Sequence, residues 1–472
     1  MTIFSTFRQW GGRILSKLPK LISASVPFDQ VQSIAESLEH VRFARLPLKF
    51  FPAAISGEGV DLVGTLAHHR RGMTGQGVKV TVIDVGFKGL SAAQAGGDLP
   101  AHIFTRDFTG KGLETQYLHG TACAEILHEM APDAELHLLK ITDEIDVYEA
   151  FDYCIENGIR VVSLSVGTVG SGPGDGTGPL GDLVDAARDN GVLVVAAAGN
   201  FGTQTIEGYT LGGHWEGRFT DNNGDGTHEF SGHPFNVIGA IPGWDDDGNS
   251  ETDEVSIILR WNDWPLAGTD YDLYLFDYFT GEPVAASAGV QDGTQPPVEA
   301  IVLDIPDNQE GVRFYSVVVQ KPDGEPAGVE LEIYLGPYSI FTPFGNNPSA
   351  IVTPTSNIVE PADSASVLTV GAIHYTNWET GPQESFSSQG PTNAWAGSAA
   401  RIKPDIMGPD GVTTLSYTGE EFLGTSAAAP HVAGAAALLA AEYPFLSPVE
   451  IKAHLTSTAV RTGDKGDTCS ET

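Results

Sequence analysis

The chain has 472 residues, enough for two or three domains and a sizeable core. Hydrophobic residues make up 41% and charged residues 18%, with 56 glycines and 29 prolines, which excludes disorder, collagen and coiled coil, and no apolar run reaches the roughly 18 residues of a membrane span. Sixty-one acidic residues against 25 basic ones give a net charge of −36, so nucleic acid and a membrane surface are excluded as partners.

Residues 1–50 carry seven basic and three acidic residues, a net of +4. This basic segment suits the acidic remainder as an intramolecular partner. Arg13-Ile14-Leu15 and Leu21 to Ala24 read as short strands, and Val31, Ile34, Ala35 and Leu38 predict a helix over 29–39. No uninterrupted apolar stretch of signal-peptide type follows Met1. From Leu46-Pro47 to about residue 75 an extended linker is expected.

From Gly77 the pattern alternates. Strands are predicted at 78–83, 136–141, 161–166 and 192–198, and helices at 121–130, 146–157 and 179–190. Continuous β-branched runs between amphipathic helices imply a parallel sheet covered on both faces. Between about 205 and 350 the helical signal stops. Val255, Ile257, Leu259 and Trp261 alternate, as do Val329, Leu331, Ile333 and Leu335, with Gly, Asp, Asn and Pro clusters between such runs. That is the signature of an antiparallel β-sandwich. A strand at 367–370 and helices at 425–441 and 448–459 then restore the α/β pattern.

The expected fold class is α/β, interrupted by an all-β insert. The expected units are 1–50, a linker at 51–76, the two parts of one α/β domain at 77–204 and 351–472, and a sandwich at 205–350 expected to fold by itself. Cys123, Cys154 and Cys469 are too few and too scattered for a disulfide framework or a zinc site. The first two lie in helical patterns, where a buried, inert thiol is expected.

Four local signals carry chemistry. Asp84 ends the first strand of the α/β part, where open sheets place ligand groups. His119-Gly120-Thr121 opens a helix, and the glycine permits close approach. Asn200 follows Ala196-Ala197-Ala198-Gly199 at a strand end, where its amide could serve a developing oxyanion or simply form a turn. Ser426 lies in Gly424-Thr425-Ser426-Ala427-Ala428-Ala429-Pro430-His431-Val432-Ala433-Gly434 at the start of an Ala-rich helix, among helix-terminal N–H groups. Such a serine is either an N-cap or a nucleophile, and small neighbours keep its hydroxyl accessible.

Together these signals resemble the subtilisin-like serine proteases, the subtilases of peptidase family S8, over about 77–204 and 355–460. Ser163-Leu164-Ser165-Val166-Gly167, Phe386-Ser387-Ser388-Gln389-Gly390-Pro391-Thr392 and Lys403-Pro404-Asp405-Ile406 also match. Val85 departs from the Ser or Thr common between the aspartate and glycine, and 226 residues separate Asn200 from Ser426. The resemblance implies a secreted serine endopeptidase of broad specificity acting on polypeptides as a monomer. Asp84, His119 and Ser426 would be its triad and Asn200 would serve its oxyanion hole, with Ser165, Val166, Gly167, Ala198 and Gly199 along the substrate channel. It also implies that 1–50 is part of an inhibitory propeptide, and the insert resembles the jelly-roll modules of bacterial secreted peptidases. A pseudopeptidase that only binds, and an intracellular processing protease, are the rival readings. The four intact positions oppose the first; acidity and the sandwich oppose the second. No cofactor is required for this chemistry and no metal is placed. Asp221 to Gly226 resembles the start of a calcium loop, but Gly232 stands where the EF-hand pattern needs Glu, so an acidic turn is expected and a structural calcium has no assigned position.

Overall fold

The structure is a computed structural model. It describes residues 13–17, 22–27, 51–52, 58–115, 117–206, 209–240, 252–306, 312–322, 328–336, 339–342 and 352–460. The helix expected at 29–39 lies outside these residues. Among them, no helix is long and apolar enough to cross a membrane.

Seven parallel strands form the central sheet, in the spatial order Ile406–Asp410, Leu368–His374, Leu193–Ala197, Val161–Leu164, Lys79–Asp84, Glu135–Lys140 and Phe104–Asp107. The β-branched runs alternate between two cores. Val80, Val82, Val161 and Val195 meet the His119–Met130 and Thr425–Glu442 helices. Ile83, Val162, Leu164 and Val194 meet the Glu144–Glu156 and Pro179–Asp189 helices. Both faces are covered, which is why these strands are apolar throughout.

The Thr425–Glu442 helix is buried over most of its length, and its small residues make that possible. A Cβ at Gly434 would lie 2.2 Å from Met130 Cβ on the neighbouring helix. Even alanine there would push the two helices apart.

Both edge strands were missed by the sequence reading. Phe104–Asp107 is largely exposed and has no apolar pattern. Ile406–Asp410 contains Gly408-Pro409, which reads as a turn; at a sheet edge a proline deprives no neighbour of a ladder bond. The Leu90–Gly96 helix was not expected either. The stretch expected as an extended linker contains a short Thr65–His69 helix. Tertiary contacts hold it: Thr65 Oγ1 donates to Met130 Sδ (3.4 Å), and His69 Nε2 bonds the Met130 carbonyl (3.0 Å). Five residues are too few for local pattern to announce a helix.

Residues 203–341 contribute two antiparallel sheets, of seven and four strands. The four-stranded sheet runs His214–Arg218, Glu330–Leu335, Thr252–Trp261, Val298–Pro306. Its inner face, with Trp215, Ile257, Leu259, Trp261, Leu331 and Ile333, packs with Leu273, Leu275, Val317 and Val319 of the larger sheet. Its opposite face is covered as well. Ile258 and Tyr334 share a core with Val169, Ile358 and Val359 of the α/β part. The small sheet is therefore a middle layer between the large antiparallel sheet and the α/β body.

Candidate active site

Asp84, at the C-terminal end of its strand, is fully buried. Its Oδ1 accepts the Val85 N–H (2.8 Å), and its Oδ2 lies 2.8 Å from His119 Nδ1. A carboxylate accepts only, so Nδ1 carries the proton and Nε2 presents a lone pair. His119 begins its helix, and its ring lies edge-on to Phe422 at 5.5 Å. Gly120 is obligatory here: a Cβ would sit 2.5 Å from the Gly86 carbonyl and 2.8 Å from Asp84 Cβ.

Ser426 is the second residue of the Thr425–Glu442 helix, where a backbone N–H has no intrahelical acceptor. Its hydroxyl donates to the Ser165 carbonyl (3.0 Å). The helix is opened locally by its own sequence. Pro430 lacks the N–H that would bond the Ser426 carbonyl. That carbonyl instead accepts Ser165 Oγ (2.9 Å) and the Cys123 thiol (3.6 Å). Ser165 and Ser426 thus clasp each other through two reciprocal bonds. Burial, reinforced by the Asp84 charge, pushes the Cys123 thiol well above its ordinary pKa, so it stays a protonated donor, buried as expected.

Asn200 faces the same helix end. Its Oδ1 accepts the N–H (3.1 Å) and hydroxyl (2.9 Å) of Thr425, which fixes the amide's polarity and leaves Nδ2 as the end that can donate to a ligand. Thr425 Oγ1 also accepts the Gly199 N–H (3.2 Å). Thr425 therefore joins the glycine–asparagine turn to the serine helix, a role the sequence reading did not assign. Pro430 was the legible clue to the freed carbonyl of Ser426. His431 is a packing residue: its Nδ1 bonds the Ala427 carbonyl (2.8 Å), and burial lowers its pKa to about 4.

Val166–Gly167 lies antiparallel to Phe51–Pro52. Ala198 and Gly199, expected along the substrate channel, have their N–H groups bonded within the fold. Their N–H groups are spent on the Val370 carbonyl (2.9 Å) and on Thr425, so neither can donate to an extended chain. What fills the gap between the two segments is Val359. A Cβ at Gly167 would lie 2.5 Å from its Cγ2, and one at Gly199 2.7 Å from its Cγ1.

The chain matches the family model described as the subtilase family over residues 75–216 and 341–470. It is 32% identical over 162 residues to subtilisin BL of Lederbergia lenta, covering 31% of this chain and 57% of that protein. The same identity relates it to the alkaline protease of Shouchella clausii, covering 31% of this chain and 40% of that protein. The minor extracellular protease Epr of Bacillus subtilis is 28% identical over 148 residues, 28% of this chain and 21% of Epr. The matched stretch thus spans little more than half of these curated relatives at most. The solved structure of the Clostridium perfringens CspB protease shares the fold, with a TM-score of 0.50 and 16% identity over 85% of this chain and 91% of that one.

Proposed function

The chain belongs to the subtilase family, and on that footing we propose that it is a serine endopeptidase that hydrolyses peptide bonds in polypeptides with broad specificity. The observation that carries this reading is the buried Asp84–His119 bond (2.8 Å), grouped with Cys123, whose thiol bonds the Ser426 carbonyl.

In this reading Ser426 Oγ attacks the scissile carbonyl carbon while His119 Nε2 takes its proton, and Asp84 stabilises the imidazolium. The imidazolium protonates the departing amine, which leaves an acyl ester on Ser426. Water then enters by the same proton route and frees the acid. The developing oxyanion is held by Asn200 Nδ2 and the Ser426 N–H. Substrate lies as a strand against Val166–Gly167, recognised through main-chain bonds, which favours breadth over side-chain selection. The chemistry requires no cofactor. Replacing Asn200 by leucine should cut kcat by about 10²–10³-fold with little change in KM. Steady-state kinetics on a peptide substrate checks this, and an unchanged kcat would remove Asn200 from the oxyanion site.

The N-terminal segment is proposed as the enzyme's own first substrate and an inhibitory partner. Three observations support it: the pairing of Phe51–Pro52 with Val166–Gly167, the bond from Ser16 Oγ to Glu149 of the Glu144–Glu156 helix (3.3 Å), and the +4 charge of residues 1–50 against the acidic remainder of the chain. Purified chain should be cut shortly after Pro52 on standing, visible by intact mass, while Ser426→Ala stays full length. Trimming of the pure Ser426→Ala chain at that site would refute self-processing.

Action outside the cell as a monomer completes the proposal, supported by the acidic composition and by likeness to Epr. The two antiparallel sheets are consistent with a jelly-roll module inserted at about 205–350. Hydrolysis of unfolded casein, abolished by a serine-directed phosphonate, tests the activity as a whole.

A further inference from the structure

The four-stranded sheet carries a second cluster of reactive groups, separate from Asp84, His119 and Ser426. His214 and Glu216 are two apart on one strand and share a face; Glu216 lies directly opposite Glu332 in the register. Trp215, between them, points into the sandwich core. His214, Glu216 and Glu332 therefore face the α/β body, on the covered side of the sheet.

His214 and Glu332 are fully buried. The Nδ1 of His214 bonds the Thr353 carbonyl (3.1 Å), so Nδ1 donates and Nε2 presents its lone pair. Nε2 and Glu332 Oε1 are both buried without a hydrogen-bond partner among the described residues, and they lie 3.6 Å apart. Such orphaned atoms are rare in a folded interior. A direct charge-assisted hydrogen bond between them would be about 2.7–2.9 Å. Two ligands on one tetrahedral ion, each bonded at about 2.0–2.1 Å, would instead be separated by about 3.3–3.4 Å. The observed gap fits the second arrangement. With Glu216 the three residues each offer one ligand atom, all within 4.8 Å of one another.

We propose that His214 Nε2, Glu216 and Glu332 Oε1 bind one divalent cation of the zinc class. Imidazole nitrogen with two carboxylates suits a borderline metal, whereas calcium would need six to eight oxygens. The supporting groups are in place. Glu332 Oε2 accepts from Arg260 Nε (2.6 Å) and Asn393 Nδ2 (3.0 Å), and the Thr353 carbonyl orients His214. Ligands braced in this way are what a preformed metal site requires. Glu216 is only half-buried and marks the side from which the ion, and a water as fourth ligand, would enter. The ion would tie together two neighbouring strands at the junction with the peptidase part.

The test uses the full chain carrying Ser426→Ala, to prevent self-digestion, stripped with a chelator and titrated with Zn²⁺ by calorimetry and with Co²⁺ by absorption. One tight site per chain is expected, with tetrahedral cobalt bands and an upward shift in Tm on loading. His214→Gln and Glu216→Gln should each weaken Zn²⁺ binding at least about 100-fold, beyond the 10–100-fold typical of losing an outer supporting group. His119→Ala should leave it unchanged, which separates this site from the Asp84, His119 and Cys123 cluster. If His214→Gln fails to fold, Glu216→Gln at its half-buried position carries the test. Stoichiometry and affinity unaltered in Glu216→Gln, or only weak binding typical of surface carboxylates, would overturn the proposal.

Discussion

Replacing Ser426 by alanine lowers kcat by about 10⁶-fold and leaves the fold in place. The position explains both halves of this expected result. Alanine is the best helix former, and it enters a helix already composed largely of alanine. The bonds to the Ser426 carbonyl from Ser165 and Cys123 do not involve the lost hydroxyl. Only the hydroxyl's bond to the Ser165 carbonyl disappears, worth about 1 kcal/mol. His119→Ala should cost about as much in kcat as Ser426→Ala, and the double variant little more, because the two act as one unit. Asp84→Asn should cost about 10⁴-fold, since it favours the wrong imidazole tautomer. A fluorophosphonate probe should label Ser426 alone. Labelling at full rate in His119→Ala would separate the hydroxyl from its base and end the triad assignment.

The candidate site was legible because the residues proposed for it lie in short sequence neighbourhoods. The strand before Asp84, the His119-Gly120 pair and the small residues around Ser426 each encode a local geometry, and the sheet brings their ends together. What escaped depended on partners far along the chain. Thr425 acquires its role only when Gly199 and Asn200 arrive beside it. In Thr252–Trp261 the alternation of Val255, Ile257, Leu259 and Trp261 was readable, but alternation says nothing of what covers the intervening residues. Ser256, Ile258 and Arg260 are buried, because a second layer covers that side. Ile258 among those outward positions was the available hint, but one apolar residue on a polar face is ordinary on exposed sheets.

That covered face makes Arg260→Met strongly destabilising, by about 3–5 kcal/mol. Arg260 is essentially inaccessible and reaches across the junction: Nε to Glu332 of its own sheet (2.6 Å), and Nη1 to Glu360 of the α/β part (2.7 Å) and the Gly172 carbonyl (3.3 Å). Methionine matches much of its volume but leaves Glu332 buried without its cation. In the parent chain burial pushes the Glu332 carboxyl up, yet the Arg260 charge holds it below its ordinary value. Without Arg260, burial dominates and the folded-state pKa rises above the unfolded one. A carboxyl raised in this way favours the folded state at low pH and loses that advantage as pH climbs past the unfolded value, about 4.3. The Tm deficit of Arg260→Met should therefore widen from mildly acidic to neutral pH, which thermal melts at several pH values would reveal. A deficit independent of pH would mean that packing, not charge, is what Arg260 supplies. The same geometry reverses the expectation of an autonomous insert. Excising 205–350 would bare Val169, Ile358 and Val359 and remove the cation beside Glu360, whose backbone exchanges two 2.9 Å bonds with Thr168 next to the Val166–Gly167 strand. The shortened chain should fail to yield a soluble peptidase, and one that folds and cleaves small peptides at the parent rate would show that the junction contributes nothing to the cleft.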